Sequence, residues 1–274
     1  MPDFLKILQT DLKELQYAAR LRKIKVAVLD TGIDVTHPFV KGRVKESWRF
    51  EKSAEGTFVP VKVTHGSNAI GGHGTEIASR ILMCAPNVEI IDIRVLDLDY
   101  AGGGGLSELV LEGFKLAIAL GAKVINMSYT AGKSIERRIA PLCEEAYRKH
   151  LIVVAAKRNN PLEDDLGFPA ELSSVIAVDK ADFGSVFDIL YTGTPPIEFS
   201  ANGENVEVAQ VSASGYRNVC LSRRATGTSY ATATVSSVIA LFLGRYPNLK
   251  FFELKTLLKY LSDSRKTAKK VLRR

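Results

Sequence analysis

Lys25-Val26-Ala27-Val28-Leu29-Asp30-Thr31-Gly32-Ile33-Asp34 is the stretch on which the fold turns. Val26 to Leu29 is an uninterrupted aliphatic run, the pattern of a strand buried on both faces of a parallel sheet. It stops at a carboxylate. In open α/β sheets functional groups gather at the C-terminal ends of strands, so Asp30 reads either as a site residue or as a turn aspartate. Further strand-like stretches, rich in aliphatic residues, recur at Val88 to Leu96, Ala122 to Ser128, Leu151 to Ala156 and Val175 to Val178. Helical stretches alternate with these runs: Thr75 to Leu82, Ser107 to Leu120 (ended by Gly121) and Ile135 to His150. This alternation predicts an α/β fold, a mostly parallel central sheet covered by helices on both faces as a three-layer α/β/α domain. Arg43 to Val63 reads as an irregular or hairpin excursion, and Asp182 to Gly215 as turns and short strands. A small apolar helix from Ala231 to Leu243 and an amphipathic one from Phe251 to Leu261 close the domain.

The chain has 274 residues, 46% hydrophobic and 24% charged, enough for one large domain. Residues 24–262 are expected to form that domain. Before it, Phe4, Leu5, Leu8, Leu12, Leu15 and Ala19 recur at helical spacing and predict an amphipathic helix from Asp3 to Leu21, within an N-terminal unit of residues 1–23. Residues 263–274 read as a basic tail. From Arg245 onward there are ten Lys/Arg against two Asp/Glu, a net of +8, so the +7 of the whole chain belongs to its end. No base-reading or aromatic-interleaved motif accompanies that charge, and it is read as a solvated surface with no nucleic-acid partner. The longest aliphatic runs are six residues, far short of the roughly 20 of a membrane span. Met1 to Lys25 lacks the apolar core of a signal peptide. Cys84, Cys143 and Cys220 make neither a disulfide framework nor a zinc pair. A reducing, cytoplasmic setting fits, as does a mature domain cut from a secreted precursor.

Two further stretches carry candidate chemistry. In Gly71-Gly72-His73-Gly74-Thr75-Glu76, flanking glycines let the backbone approach closely at a helix start. His73 is then either a capping residue or an accessible ring. In Ala225-Thr226-Gly227-Thr228-Ser229-Tyr230, Ser229 stands at the first turn of a small-residue helix. It is either an N-cap or a nucleophile in the positive field of a helix N-terminus. Together Asp30, His73 and Ser229 supply what acyl transfer needs: a hydroxyl, a base that titrates near neutrality, and a carboxylate that fixes the imidazole tautomer. The four glycines Gly102 to Gly105 follow a strand, but they lack a phosphate-binding fingerprint, which argues against a nucleotide. A single Asp-Thr-Gly does not make an aspartic protease, which needs two such carboxylates.

Asp30-Thr31-Gly32-Ile33-Asp34, His73-Gly74-Thr75 and Gly227-Thr228-Ser229 closely resemble the three signature segments of the subtilisin-like serine proteases, or subtilases, in their Asp, His, Ser order. The likeness runs from about Ile24 to Leu261. Val124-Ile125-Asn126-Met127-Ser128 is similar to a wall of that family's primary specificity pocket. Gly167-Phe168-Pro169-Ala170 is similar to its base, and Phe199 to Gly203 to a segment preceding the serine. The resemblance implies a serine endopeptidase with Asp30, His73 and Ser229 as catalytic residues. Asn159, with Asn160 as the fallback, would be the oxyanion donor beside the Ser229 backbone N–H. An extended polypeptide would bind along Gly102, Gly103 and Gly104 and along Ser128, Tyr129 and Thr130. Gly167 would leave room for a sizeable apolar side chain before the cut, while Asp97, Asp99, Asp164 and Asp165 would favour nearby basic residues or form a solvated acidic surface.

The chain also departs from the family pattern. Arg158 stands where glycine is usual, Glu76 replaces a histidine, Tyr230 a methionine and Ala233 a proline. These departures support a second reading, a non-catalytic binding or regulatory module on the same fold. Only Met83 to Asn87 separate Leu82 from Val88, so no calcium is expected at the family's loop there, and no cofactor is implied. The 29 residues before Asp30 are too few for the usual propeptide.

Overall fold

Val26 and Val28 pack into one hydrophobic cluster, and Ala27 and Leu29 into a second on the opposite side. This is the period-2 alternation of a strand buried on both faces. The computed structural model describes residues 7–102, 104–160, 166–193, 195–211 and 222–271, with side chains through 263. In chain order the elements are α1 (Leu12–Gln16), β1 (Ile24–Asp30), β2 (Val44–Lys52), β3 (Phe58–Lys62), α2 (His73–Cys84), β4 (Val88–Arg94), α3 (Gly105–Ala119), β5 (Val124–Met127), α4 (Glu136–Arg148), β6 (Ile152–Ala156), β7 (Ile176–Ala181), β8 (Ile189–Tyr191), β9 (Phe199–Asn202), β10 (Val206–Ala209), β11 (Ser222–Ala225), α5 (Thr228–Arg245) and α6 (Phe251–Val271).

Nine strands form one sheet in the order β3-β2-β4-β1-β5-β6-β7-β9-β8. The pairs β2–β3 and β8–β9 at the two edges are antiparallel, and the pairs between them are parallel. β10 and β11 form a separate antiparallel pair. One face of the sheet is covered by α1, α2, α5 and α6, the other by α3 and α4. The expected three layers are therefore present.

α5 is the helix around which one layer is built. Every residue from Thr228 to Gly244 is buried, as expected of a helix that is apolar or small on all sides. Several of its hydroxyls bond back within the helix: Thr232 Oγ1 donates to the Thr228 carbonyl at 2.8 Å, and Ser237 Oγ to that of Ala233 at 2.7 Å. Ser236 Oγ reaches Asn126 Oδ1 on β5 at 2.9 Å.

Two expectations at the ends need correction. The predicted continuous N-terminal helix breaks at Thr10–Asp11, where Asp11 caps a new helix by accepting from the Lys13 N–H at 2.7 Å. An aspartate there offers the backbone a capping bond that competes with the helical ladder. Ile7, Leu12 and Leu15 are nevertheless buried, as the apolar spacing implied. At the other end the helix does not stop at Leu261 but runs through Val271, into the stretch read as a tail. β11 is absent from the sequence reading, because Ser222-Arg223-Arg224-Ala225 has no strand-like apolar alternation and three of its four residues are exposed.

The parallel register brings strand ends together. Leu29 pairs with Met127, and Met127 with Ala155. Asp30, Ser128 and Lys157 thus sit at or just past the ends of three adjacent strands. The first turn of α2 presses against this edge: a Cβ on Gly74 would lie 2.4 Å from the Gly32 carbonyl oxygen and 3.3 Å from the Asp30 Cβ. Gly74→Ala should destabilise the fold by about 1–3 kcal/mol, read from urea titration.

Asp92 on β4 is fully buried, with Oδ2 accepting from Asn68 Nδ2 at 2.9 Å and Oδ1 unpartnered among the described residues. Burial pushes its pKa up from 3.8 to about 7, against the hydrogen bonds that favour its charged form. The folded state therefore holds this proton more tightly than the unfolded chain does. The contribution to stability is full below the unfolded pKa and is lost as pH rises through about 7. Thermal melts should show Asp92→Asn gaining on the wild type between pH 5 and pH 9; parallel curves would refute this assignment.

Candidate active site

Asp30 is the last residue of β1, and His73 the first of α2. The imidazole Nδ1 lies 2.8 Å from Asp30 Oδ1 and 3.0 Å from Oδ2. Asp30 Oδ1 also accepts from the Thr31 N–H at 2.8 Å. The carboxylate side chain is 1% exposed and the imidazole 33%, so the ring bridges a buried charge and an open surface. Burial disfavours the imidazolium. The Asp30 charge and hydrogen bond, with a smaller contribution from Glu76, outweigh burial and raise the His73 pKa above its ordinary 6.5.

Ser229 is the second residue of α5 and is largely buried. Its Oγ donates to the Ser128 carbonyl at 2.7 Å, while Ser128 Oγ donates back to the Ser229 carbonyl at 2.9 Å. Asn126 Nδ2 in turn donates to Ser128 Oγ at 2.8 Å. The Ser229 hydroxyl is thus fixed on the end of β5 and is not hydrogen-bonded to His73. Asn159, past the end of β6, accepts from the Thr228 N–H through Oδ1 at 3.1 Å. That bond sets the amide orientation, because a backbone N–H requires the oxygen, and it leaves Nδ2 as the donor end. Sequence-distant Asp30, His73, Ser128, Asn159 and Ser229 therefore gather at the C-terminal edge of β1, β5 and β6.

The remaining expected site residues are placed less uniformly. Gly103, Asp164 and Asp165 lie outside the described residues. Gly102 and Gly104 border open space, and Gly104 has φ +81° at the entry to α3. Gly102 follows the 3-10 turn Leu98–Tyr100. Ser128 to Ala131 leaves β5 and forms a bridge with Phe168, with Ala131 N–H donating to the Phe168 carbonyl at 2.9 Å. The Tyr129 ring packs against the core, with its hydroxyl buried and unpartnered among the described residues. Thr130 fills the space that Gly167 leaves: a Cβ on Gly167 would fall 2.5 Å from the Thr130 Cβ. Asp97 is committed to Arg94 at 3.2 Å and to capping the Asp99 N–H at 3.2 Å.

Sequence reasoning missed Arg223, which forks onto Glu76 with Nε to Oε1 at 2.8 Å and Nη2 to Oε2 at 2.7 Å. Nothing in the local sequence marks an arginine 147 residues from its partner. Cys84 and Cys143 sit in opposite clusters, and burial raises both thiols, Cys143 to about 12, so neither is a reactive nucleophile.

Comparison with known proteins identifies the family. The Subtilase family (Peptidase_S8) profile matches residues 22–272. Subtilisin DY of Bacillus licheniformis is 29% identical over 249 residues, covering 86% of this chain and 82% of its own. A thermostable alkaline protease of Halalkalibacterium halodurans is 32% identical over 235 residues, covering 82% of this chain and 58% of its own. The crystal structure of fervidolysin from Fervidobacterium pennivorans, described as a keratinolytic enzyme related to subtilisin, superposes with TM-score 0.62 at 24% identity. It covers 90% of this chain, which spans only 40% of fervidolysin. The chain therefore belongs to the subtilase family, the subtilisin-like serine endopeptidases.

Proposed function

We propose that the chain hydrolyses peptide bonds through Ser229, His73 and Asp30 by way of an acyl-enzyme. The observation that carries this reading is the buried Asp30–His73 hydrogen bond at 2.8 Å, made beside the N-terminus of the helix that holds Ser229. Ser229 Oγ turns from the Ser128 carbonyl toward His73 and attacks the scissile carbonyl carbon as His73 Nε2 takes its proton. Asp30 keeps the second imidazole proton on Nδ1 and stabilises the imidazolium. Negative charge on the former carbonyl oxygen is met by Asn159 Nδ2 and the Ser229 N–H, the latter in the positive field of α5. The intermediate collapses, the C–N bond breaks, and His73 returns the proton to the departing amine. Water then repeats the sequence on the ester and frees Ser229.

The substrate is an extended polypeptide aligned along Ser128 to Ala131. Thr130 over Gly167 limits the size of the residue accepted before the cut. The alternative, a binding module without turnover, is favoured by one observation: the Ser229 hydroxyl is engaged by the Ser128 carbonyl.

A fluorophosphonate probe separates the two readings. The wild type should be labelled at Ser229 and should cleave a peptide library, and Ser229→Ala should do neither; equal cleavage by both proteins would exclude the triad. Asn159→Ala should lower kcat by about 10²–10³-fold, a range set by the same change in subtilisin rather than by this geometry. His73 must be neutral to act as base, and its pKa is raised. The acid limb of kcat/KM should therefore have its midpoint above 6.5, measured across pH 5 to 9.

A further inference from the structure

Two departures from the subtilase pattern, Glu76 and Tyr230, touch each other. Tyr230 donates its hydroxyl to Glu76 Oε2 at 2.6 Å. Arg223 completes the set with its fork onto both oxygens of the same carboxylate. Glu76 is buried at 5% exposure, and a carboxylate there is tolerable only with such charge-assisted partners.

The three residues come from three segments of the site. Glu76 lies one turn beyond His73 on α2, Arg223 stands on β11, and Tyr230 follows Ser229 directly on α5. The Tyr230 ring lies 6.0 Å from the His73 ring at 52°. The first turns of the helices carrying base and nucleophile are thereby joined through side chains as well as through the core.

Resting on the catalytic reading above, we propose that Glu76, Arg223 and Tyr230 are positioning residues. They form a charge-balanced clamp that fixes the His73 turn against the Ser229 turn and sets the basicity of His73.

The electrostatics follow from what faces the imidazole: Asp30 from β1, Glu76 from α2, Arg223 from β11 and Tyr230 from α5. Burial lowers the His73 pKa and Asp30 raises it, and among the remaining groups Glu76 favours the imidazolium while Arg223 opposes it. Burial, then Glu76, raises the Tyr230 pKa, which keeps its phenol a donor. A lone Glu76 carboxylate would hold His73 protonated further into the neutral range and reduce the fraction available as base.

The test is an NMR titration of the His73 imidazole, assigned among the four histidines by loss of its signal in His73→Ala. Glu76→Gln should lower the His73 midpoint by about half a pH unit, and Arg223→Met should raise it by a similar amount. The double variant should return close to the wild type. A purely structural role would not give shifts of opposite sign. Unchanged midpoints, or shifts in the same direction, would overturn the clamp. Should Glu76→Gln fail to fold, Arg223→Met decides alone, since its side chain is 44% exposed: a rise supports the clamp and no rise overturns it. Fluorophosphonate labelling of the wild type runs alongside. Its absence would remove the catalytic reading while leaving the titration result standing.

Discussion

The hydrogen bond between His73 and Asp30 joins the first residue of a helix to the last residue of a central strand, and much of the architecture serves that meeting. The strand must be buried on both faces to hold a carboxylate 1% exposed. The helix must approach so closely that position 74 has no room for a side chain. The adjoining segment helps fix the approach: Thr31 Oγ1 accepts from the Gly74 N–H at 3.1 Å, and Thr75 Oγ1 accepts from the Asp34 N–H at 2.9 Å. A buried carboxylate facing an imidazole is costly unless its other lone pairs are met, and the Thr31 N–H meets one of them.

A second set of bonds fixes the nucleophile's side. Ser128 and Ser229 exchange hydrogen bonds between the end of β5 and the start of α5, and Asn126 and Ser236 extend the chain of bonds below them. Helix and strand are thus tied by polar side chains at the functional edge and by aliphatic packing beneath it. Asn159 adds a third tie, from the end of β6 to the Thr228 N–H. The subtilase fold of this chain can be described as three strand ends holding two helix starts.

The sheet was legible because its strands are short aliphatic runs stopped by polar residues, and parallel burial writes that pattern directly into sequence. Asp30, His73 and Ser229 were legible because each interrupts a regular element at its functional end. The features that were not legible depend on partners far apart in the chain. Arg223 lies on a strand with no apolar alternation and acquires meaning only beside Glu76. Asp92 stands between Ile91 and Ile93 on a buried strand, which is a signal a reader could have used, but its partner Asn68 is in a loop. The N-terminal helix was overextended because apolar spacing persists through Asp11, where a capping bond breaks the ladder that the spacing suggests.

α5 runs from the site to the opposite end of the sheet, where the Arg22 N–H donates to the Gly244 carbonyl at 2.9 Å. At 1.5 Å per residue, the sixteen steps from Ser229 to Arg245 span about 24 Å. Farther along the chain, Lys255 and Lys259 are engaged with Glu198 and the Tyr191 ring beside the outermost strands. That separation is about three Debye lengths at physiological ionic strength. A surface charge at the Arg245 end of α5 is therefore largely screened from the imidazole at the other end, whose proton affinity answers to its own neighbours.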